Sequence, residues 1–240
     1  KGTKWRDITG NGKSSDDVPL TGTVIYLDLD NDGVKDSGDP STTTASNGTY
    51  QFTGLAAGTY VVREVVPSNM IRTGPTLSDK YVVTLSAGQT ETGKDFANFE
   101  TCLDCALTNV YYSITRNGNS FNVTNLRDNT NQGDVVTVTF TVPSGAPVEQ
   151  FSLVSYTAPD AYFSAERASQ QRIYEGQTGF FMPGTHTMMV SLPNSNYQVD
   201  FVCGAIIDEL GPANSNIFYP PQGRLISADN DGYNTGSANF

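Results

Sequence analysis

The chain is short of the residues that most protein chemistry requires. It has one histidine, three cysteines, and 14 Lys and Arg against 25 Asp and Glu, a net charge of −11 at pH 7. Nucleic acid is held by clustered basic side chains, and none cluster here, so it is not an expected partner. No apolar run approaches the ~20 residues that span a bilayer as a helix, so no membrane span is expected. No secretory leader is recognisable either, which suggests a mature fragment of a longer parent. A Ser/His/Asp triad would have to use His186, in Pro183-Gly184-Thr185-His186-Thr187-Met188-Met189, and no nucleophile-elbow sequence accompanies it. Asp160, Glu166, Asp208 and Glu209 fall in loop-like sequence, where carboxylates are ordinarily solvated rather than paired for hydrolysis. The chain is therefore not expected to be an enzyme. Charged residues are only 16% while Thr, Ser, Asn and Gly abound, as suits a secreted or cell-surface β-protein.

The cysteines exclude a little more. Cys102-Leu103-Asp104-Cys105 has C-x-x-C spacing, but there is no second pair to complete a zinc site and no βαβ pattern around it. A disulfide from Cys203 to Cys102 or to Cys105 is expected, and the spacing does not choose between them.

What is present centres on residues 28–39, Asp-Leu-Asp-Asn-Asp-Gly-Val-Lys-Asp-Ser-Gly-Asp. Side-chain oxygens fall at loop positions 1, 3, 5, 9 and 12: Asp28, Asp30, Asp32, Asp36 and Asp39. Gly33 stands at position 6, where a sharp turn needs a residue without Cβ, and Val34 offers its carbonyl at position 7. This is the ligand order of an EF-hand-type calcium loop, with Asp replacing the usual Glu at the last position. Five neighbouring carboxylates would repel one another without a cation, so calcium is the expected cofactor. The flanks, however, are strands. Thr23-Val24-Ile25-Tyr26-Leu27 precedes the loop, and Asn47-Gly48 turns into Thr49-Tyr50-Gln51-Phe52 after it. A sensor works by swinging helices, and this loop has none, so a structural role is expected.

Helical periodicity is nearly absent, and only 161–169 could hold a short helix. Runs rich in Val, Ile, Thr, Tyr and Phe recur between Gly, Pro, Asn and Asp. They predict strands at 3–7, 22–28, 49–53, 58–66, 80–86 and 94–99, then at 109–116, 119–125, 134–143, 149–157, 170–175, 185–192, 197–207 and 223–228. The expected fold is all-β: two β-sandwich domains in tandem, residues 1–100 and 101–240, the first carrying the EF-hand-type loop. Asp95-Phe96-Ala97-Asn98-Phe99 is echoed by Gly236-Ser237-Ala238-Asn239-Phe240, as modules that end alike would be.

Residues 1–100 also follow a family pattern. Gly2-Thr3-Lys4-Trp5-Arg6-Asp7, Asn11-Gly12, the loop 28–39, Ser46-Asn47-Gly48-Thr49-Tyr50-Gln51-Phe52, Gly58-Thr59-Tyr60 and Arg63-Glu64-Val65-Val66-Pro67 occur in order. The set resembles the B-type repeat domains of serine–aspartate-repeat surface adhesins, in the Cna-B-type, prealbumin-like group. The resemblance implies a calcium-binding β-sandwich that serves as a spacer or stalk in bacterial surface proteins, with neighbouring modules as partners and no catalysis. It implies a second calcium segment with Asp7, Thr9 and Asn11 as ligands. There Ser15 and Val18 stand where carboxylates are expected, and Asp17, beside Asp16, closes the set after a one-residue deletion. It further implies a self-made Lys–Asn amide between Lys4 and Asn98, assisted by Glu64.

Residues 101–240 carry no such pattern. They are rich in aromatics, most of which a sandwich core should absorb. Phe180-Phe181-Met182-Pro183 and Phe218-Tyr219-Pro220-Pro221 are expected at surface loops, and Asp229-Asn230-Asp231-Gly232 at a turn. The expected function is that of a calcium-rigidified structural module of a surface protein, stalk or filament. The alternative is a carbohydrate- or protein-binding module that uses residues 101–240 to recognise a host or matrix protein or a glycan.

Overall fold

The computed structural model describes residues 1–101 and 105–231. Cys102, Gly232 and the echo at 236–240 lie outside the described residues. The chain divides into two compact units, Lys1–Thr101 and Cys102–Phe240. Both are built from strands, in antiparallel sheets with one parallel pair.

Unit 1 runs through β1 (Gly2–Asp7), β2 (Val18–Pro19), β3 (Val24–Asp28), β4 (Ser41–Thr43), β5 (Thr49–Tyr50), β6 (Gly58–Glu64), β7 (Met70–Gly74), β8 (Lys80–Leu85) and β9 (Phe96–Glu100). One sheet has the order β2-β1-β9-β7, with β5 also on β1; the other has the order β4-β3-β6-β8. Ile25, Leu27, Tyr50, Val62, Val83 and Phe96 form the core of this β-sandwich. The first and last strands, β1 and β9, are adjacent and parallel, with Lys4 opposite Phe96 and Arg6 opposite Asn98. Strands β2, β4 and β7 have no counterpart among the runs expected from sequence. Each is short or polar, or is broken by a Gly-Pro step as at Gly74-Pro75, so its pairing depends on the neighbouring strand more than on its own residues.

Unit 2 runs through β10 (Thr108–Arg116), β11 (Asn119–Val123), β12 (Val135–Val142), β13 (Glu149–Thr157), a 3₁₀ turn (Ala165–Gln170), β14 (Arg172–Phe181), β15 (Gly184–Ser191), β16 (Tyr197–Cys203) and β17 (Leu225–Asn230). Its sheets have the orders β11-β10-β12-β15 and β14-β13-β16-β17. Strand β12 buries every second residue, Val136, Val138, Phe140 and Val142, as a strand with one wet face must. In β13, by contrast, Phe151 to Tyr156 are all buried, because both faces are covered. One face meets the sandwich core. The other meets a second cluster that joins Val154, Tyr156 and Val202 to Ala168, Ile207, Leu210, Ile217 and Tyr219. The segments 158–171 and 205–224 thus form an extra layer over β13 and β16. The helix expected at 161–169 is only the 3₁₀ turn Ala165–Gln170, and the turn expected at 229–231 is partly strand, since β17 runs to Asn230.

Candidate functional site

The expected calcium loop hangs between β3 and β4. Asp28 ends β3 with its side chain buried, and Asn31 and Gly33 take the left-handed conformations (φ 60° and 87°) that fold the chain back over it. The Gly33 amide donates to Asp28 Oδ2 at 3.1 Å, the Asp32 amide to Asp30 Oδ1 at 3.3 Å, and the Val34 amide to Asp32 Oδ1 at 2.8 Å. One carboxylate oxygen from each of Asp28, Asp30 and Asp32 falls within 4.8 Å of the others. Asp28 Oδ1 is buried without a hydrogen-bond partner. Asp36 and Asp39 stand outside this trio. Asp39 instead closes the loop, accepting from the amides of Leu29 (3.2 Å) and Asp36 (3.0 Å). Val34 is exposed.

Charge in the loop is only partly balanced. Burial opposes the Asp28 charge, but the Gly33 amide and the Arg63 guanidinium outweigh it, so its carboxyl lies below the ordinary range. Arg63, on β6, donates through Nε to Asp28 Oδ2 at 2.7 Å and also meets Asp79 and Asn31. Asp30 lies above its ordinary value. The Asp32 amide holds it down, but desolvation and the charges of Asp32, Asp28 and Asp36 prevail. That is the repulsion a divalent ion would relieve. Arg63 stands in the family pattern, but nothing in the sequence ties it to Asp28, because its register beside Asp28 is fixed only once β6 pairs with β3.

The segment after β1 gathers a second set of oxygens. Asp7 is buried and accepts from the amides of Gly10 (2.7 Å) and Gly12 (2.9 Å). Asp17 Oδ2 accepts from Ser14 at 2.9 Å, while Asp17 Oδ1 and Asn11 Oδ1 are buried without hydrogen-bond partners. Burial, with the Asp7 charge adding to it, pushes the Asp17 carboxyl up to about 6. Thr9 is half-buried beside them, whereas Ser15 and Val18 are exposed. Oxygens left bare in this way suit a hard cation.

Lys4, Glu64 and Asn98 come together from β1, β6 and β9. Lys4 and Asn98 are wholly buried, and Glu64 nearly so. The Lys4 ammonium lies 3.0 Å from Glu64 Oε2 and donates to Asn98 Oδ1. Lys4 is clamped from behind by the Asn47-Gly48 turn. Its amide donates to Gly48 O at 2.8 Å, and a Cβ on Gly48 would fall 2.5 Å from Lys4 O. Burial lowers the Lys4 amine to about 8 and raises the Glu64 carboxyl. Both are driven toward the neutral forms that acyl transfer between an amine and an amide requires.

In unit 2, Cys105 and Cys203 form a disulfide (S–S 2.11 Å) across a separation of 98 residues. His186 packs on the rings of Phe140 and Phe181, and its Nε2 lies 2.7 Å from Met182 O. Asp160 is held by Arg167 and Glu166 by Ser164. Phe180 and Met182 are exposed, as expected of that loop, but Phe181 packs against Phe140 and Phe151. Tyr219, expected at the surface, is buried with its hydroxyl 2.7 Å from that of Tyr156. No helix among the described residues is long and apolar enough to cross a membrane.

Unit 1 is thus a β-sandwich in which buried polar side chains join β1, β6 and β9. The family model for the SdrD B-like domain matches residues 3–98, and this part of the chain is an SdrD B-like domain. That is a family of structural adhesin repeats rather than of enzymes. No curated protein matches the chain. Among solved structures, the Bacillus anthracis TIE protein is similar at 13% identity and a TM-score of 0.29, over 88% of this chain and 48% of that one. The chain therefore spans about half the length of that protein, and a likeness so slight carries no argument.

Proposed function

We propose that the chain is a calcium-rigidified structural segment of a bacterial surface protein, stalk or filament, with residues 1–100 as spacer and 101–240 as a second β-sandwich domain. The observation that carries the reading is the trio Asp28, Asp30 and Asp32. One carboxylate oxygen from each converges within 4.8 Å of the others, and Asp28 Oδ1 is buried without a hydrogen-bond partner, on a loop between two strands. Calcium there would be held by these three, with Val34 O, Asp36 and Asp39 as the remaining candidate ligands of the loop. Asp7, Asn11 and Asp17, with Thr9, form the candidate second site. The ion neutralises crowded carboxylates and pins the loop to β3 and β6, and so stiffens the sandwich.

Lys4, Glu64 and Asn98 support a second lock. Neutral Lys4 Nζ attacks Asn98 Cγ while protonated Glu64 polarises the amide oxygen. The Nζ–Cγ bond forms, the Cγ–Nδ2 bond breaks, and the carboxyl relays a proton from the amine to the departing nitrogen, which leaves as ammonia.

The test is a thermal melt of the whole chain with calcium and with chelator. Calcium about a hundredfold above its dissociation constant should stabilise unit 1 by about 2.7 kcal/mol. A melt that ignores both calcium and Asp32→Ala would overturn the reading.

A further inference from the structure

Strand β16 alternates as an ordinary sandwich strand should. Tyr197, Val199 and Phe201 enter the core, while Gln198 and Asp200 turn to the opposite face. That outer face would be solvent but for the layer formed by 158–171 and 205–224. Between this cover and β17 the layer leaves a cavity of about 750 Å³, lined by Phe163, Leu210, Phe218, Tyr219, Gln198 and Asp200 among others. Sites for small organic ligands have about this size, some 300–1,000 Å³, and are likewise mostly apolar with a few fixed polar groups.

Asp200 is the polar group not yet accounted for. It is 0% exposed. Its Oδ2 accepts from Gln198 Nε2 at 2.6 Å, and Gln198 Oε1 in turn accepts from Gln171 Nε2 at 3.0 Å, which orients the Gln198 amide. Its Oδ1 is buried with no hydrogen-bond partner. The other polar groups around it are already engaged. Asp229 accepts from the amides of Asn129 and Thr130 and from the Thr130 hydroxyl. Tyr156 donates to Ile207 O, and the Ile207 amide donates to Tyr219 Oη. Arg224 is turned to backbone carbonyls and Gln222. Arg127, at the rim, is exposed and screened by solvent. A buried carboxylate oxygen without a donor is costly, and a donor carried by a ligand would recover that cost. Consistently, burial pushes the Asp200 carboxyl up to about 7.

We propose that this cavity binds a small primary ammonium compound with an aromatic or aliphatic body, the nitrogen donating to Asp200 Oδ1 and the body lying against Phe163, Leu210 and Phe218. The acceptor selects a donor and a positive charge, and the walls select an apolar body. Nothing in this depends on calcium or on the Lys4–Asn98 bond.

The test uses the whole chain, titrated calorimetrically above neutral pH with 2-phenylethylamine and with its uncharged analogue 2-phenylethanol. Saturable one-to-one binding of the amine, at least about tenfold tighter than the alcohol, is expected. Asp200→Asn should weaken the amine about tenfold and leave the alcohol unchanged. Ala228→Trp, on β17 directly opposite Asp200, should fill the cavity and abolish both. The proposal fails if the amine does not saturate, if it binds no tighter than the alcohol, or if its binding survives Ala228→Trp. Should Asp200→Asn not fold, the amine–alcohol contrast and Ala228→Trp decide the matter between them.

Discussion

The arrangement of Lys4, Glu64 and Asn98 leads to a prediction with a large signal. An amide between Lys4 and Asn98 closes a loop across a separation of 94 residues. On the chain-entropy estimate for a cross-link of that span, it stabilises the folded unit by about 4.7 kcal/mol. For a unit of this size, each kcal/mol is worth at least about 4 °C in the melting midpoint, so the bond should add roughly 20 °C. The primary assay is the intact mass of the reduced chain, which should lie one ammonia below the mass of the sequence. Protease mapping should then find the peptides bearing Lys4 and Asn98 joined. Glu64→Ala and Lys4→Met should each keep the ammonia, and unit 1 should melt roughly 20 °C lower. Lys4→Met also separates this bond from other ways an asparagine can lose ammonia, since only the cross-link needs the lysine. A folded wild-type chain at its full sequence mass would refute the reasoning, and so would an ammonia loss that persists in Lys4→Met.

In calcium titrations followed by melting, Asp28→Ala and Asp32→Ala should each lose most of the stabilisation. Asp36→Ala should lose less, because it lies outside the converged trio. Reducing Cys105–Cys203, or replacing Cys203 with Ser, should destabilise unit 2 by about 2–5 kcal/mol, read from denaturant midpoints. Asp200 supplies a pH dependence of unusual sign. Its folded carboxyl is raised from 3.8 to about 7, so the folded unit binds a proton that the unfolded chain has released. Stability from this group is therefore full below about pH 4 and lost as pH rises through 7, a change of up to about 4 kcal/mol. Gln198 is its hydrogen-bond partner, and Tyr156, Tyr219 and Arg224 lie nearby. Asp200→Asn should flatten this slope in melts taken from pH 4 to 8, and an unchanged slope would count against the assignment.

The residues differ in how far they can be read without the fold. The acidic loop 28–39 is legible because its residues are local and punctuated by Gly33, and three of its carboxylates, those of Asp28, Asp30 and Asp32, do converge. The alternation of β12 is equally legible. Lys4, Glu64 and Asn98 are not, since their spacings along the chain contain no periodicity that would join them, and only resemblance to a family singled them out. The pairing of Arg63 with Asp28 escaped for the same reason. Asp200 shows the harder limit. In Tyr197-Gln198-Val199-Asp200-Phe201 it occupies the polar-out position of a one-sided strand. Only the layer formed by 205–224, a stretch whose glycines and prolines read as loop, turns that position inward. Tyr219 misled in the same way, because Pro220-Pro221 marks a loop without saying that the loop folds back over a sheet.

The two units also share a topological device. In unit 1 the candidate bond joins the first strand to the last, and β1 and β9 run parallel side by side. Tension that enters at the amino end and leaves at the carboxyl end would pass through Lys4 and Asn98, and residues 5–97 would form a closed loop carrying little of it. In unit 2 the disulfide joins Cys105, ahead of β10, to Cys203 at the end of β16, across 98 residues. Most of that sandwich is likewise removed from the line of force. The candidate calcium loop lies within the corresponding segment of unit 1, between β3 and β4. An ion there cannot add to strength along the chain, and its contribution must be to the stiffness and thermal stability of the sandwich. Cross-link and ion are therefore separable in experiment. Chelation should lower the melting point without changing the intact mass, and Glu64→Ala should change the mass without removing the calcium response.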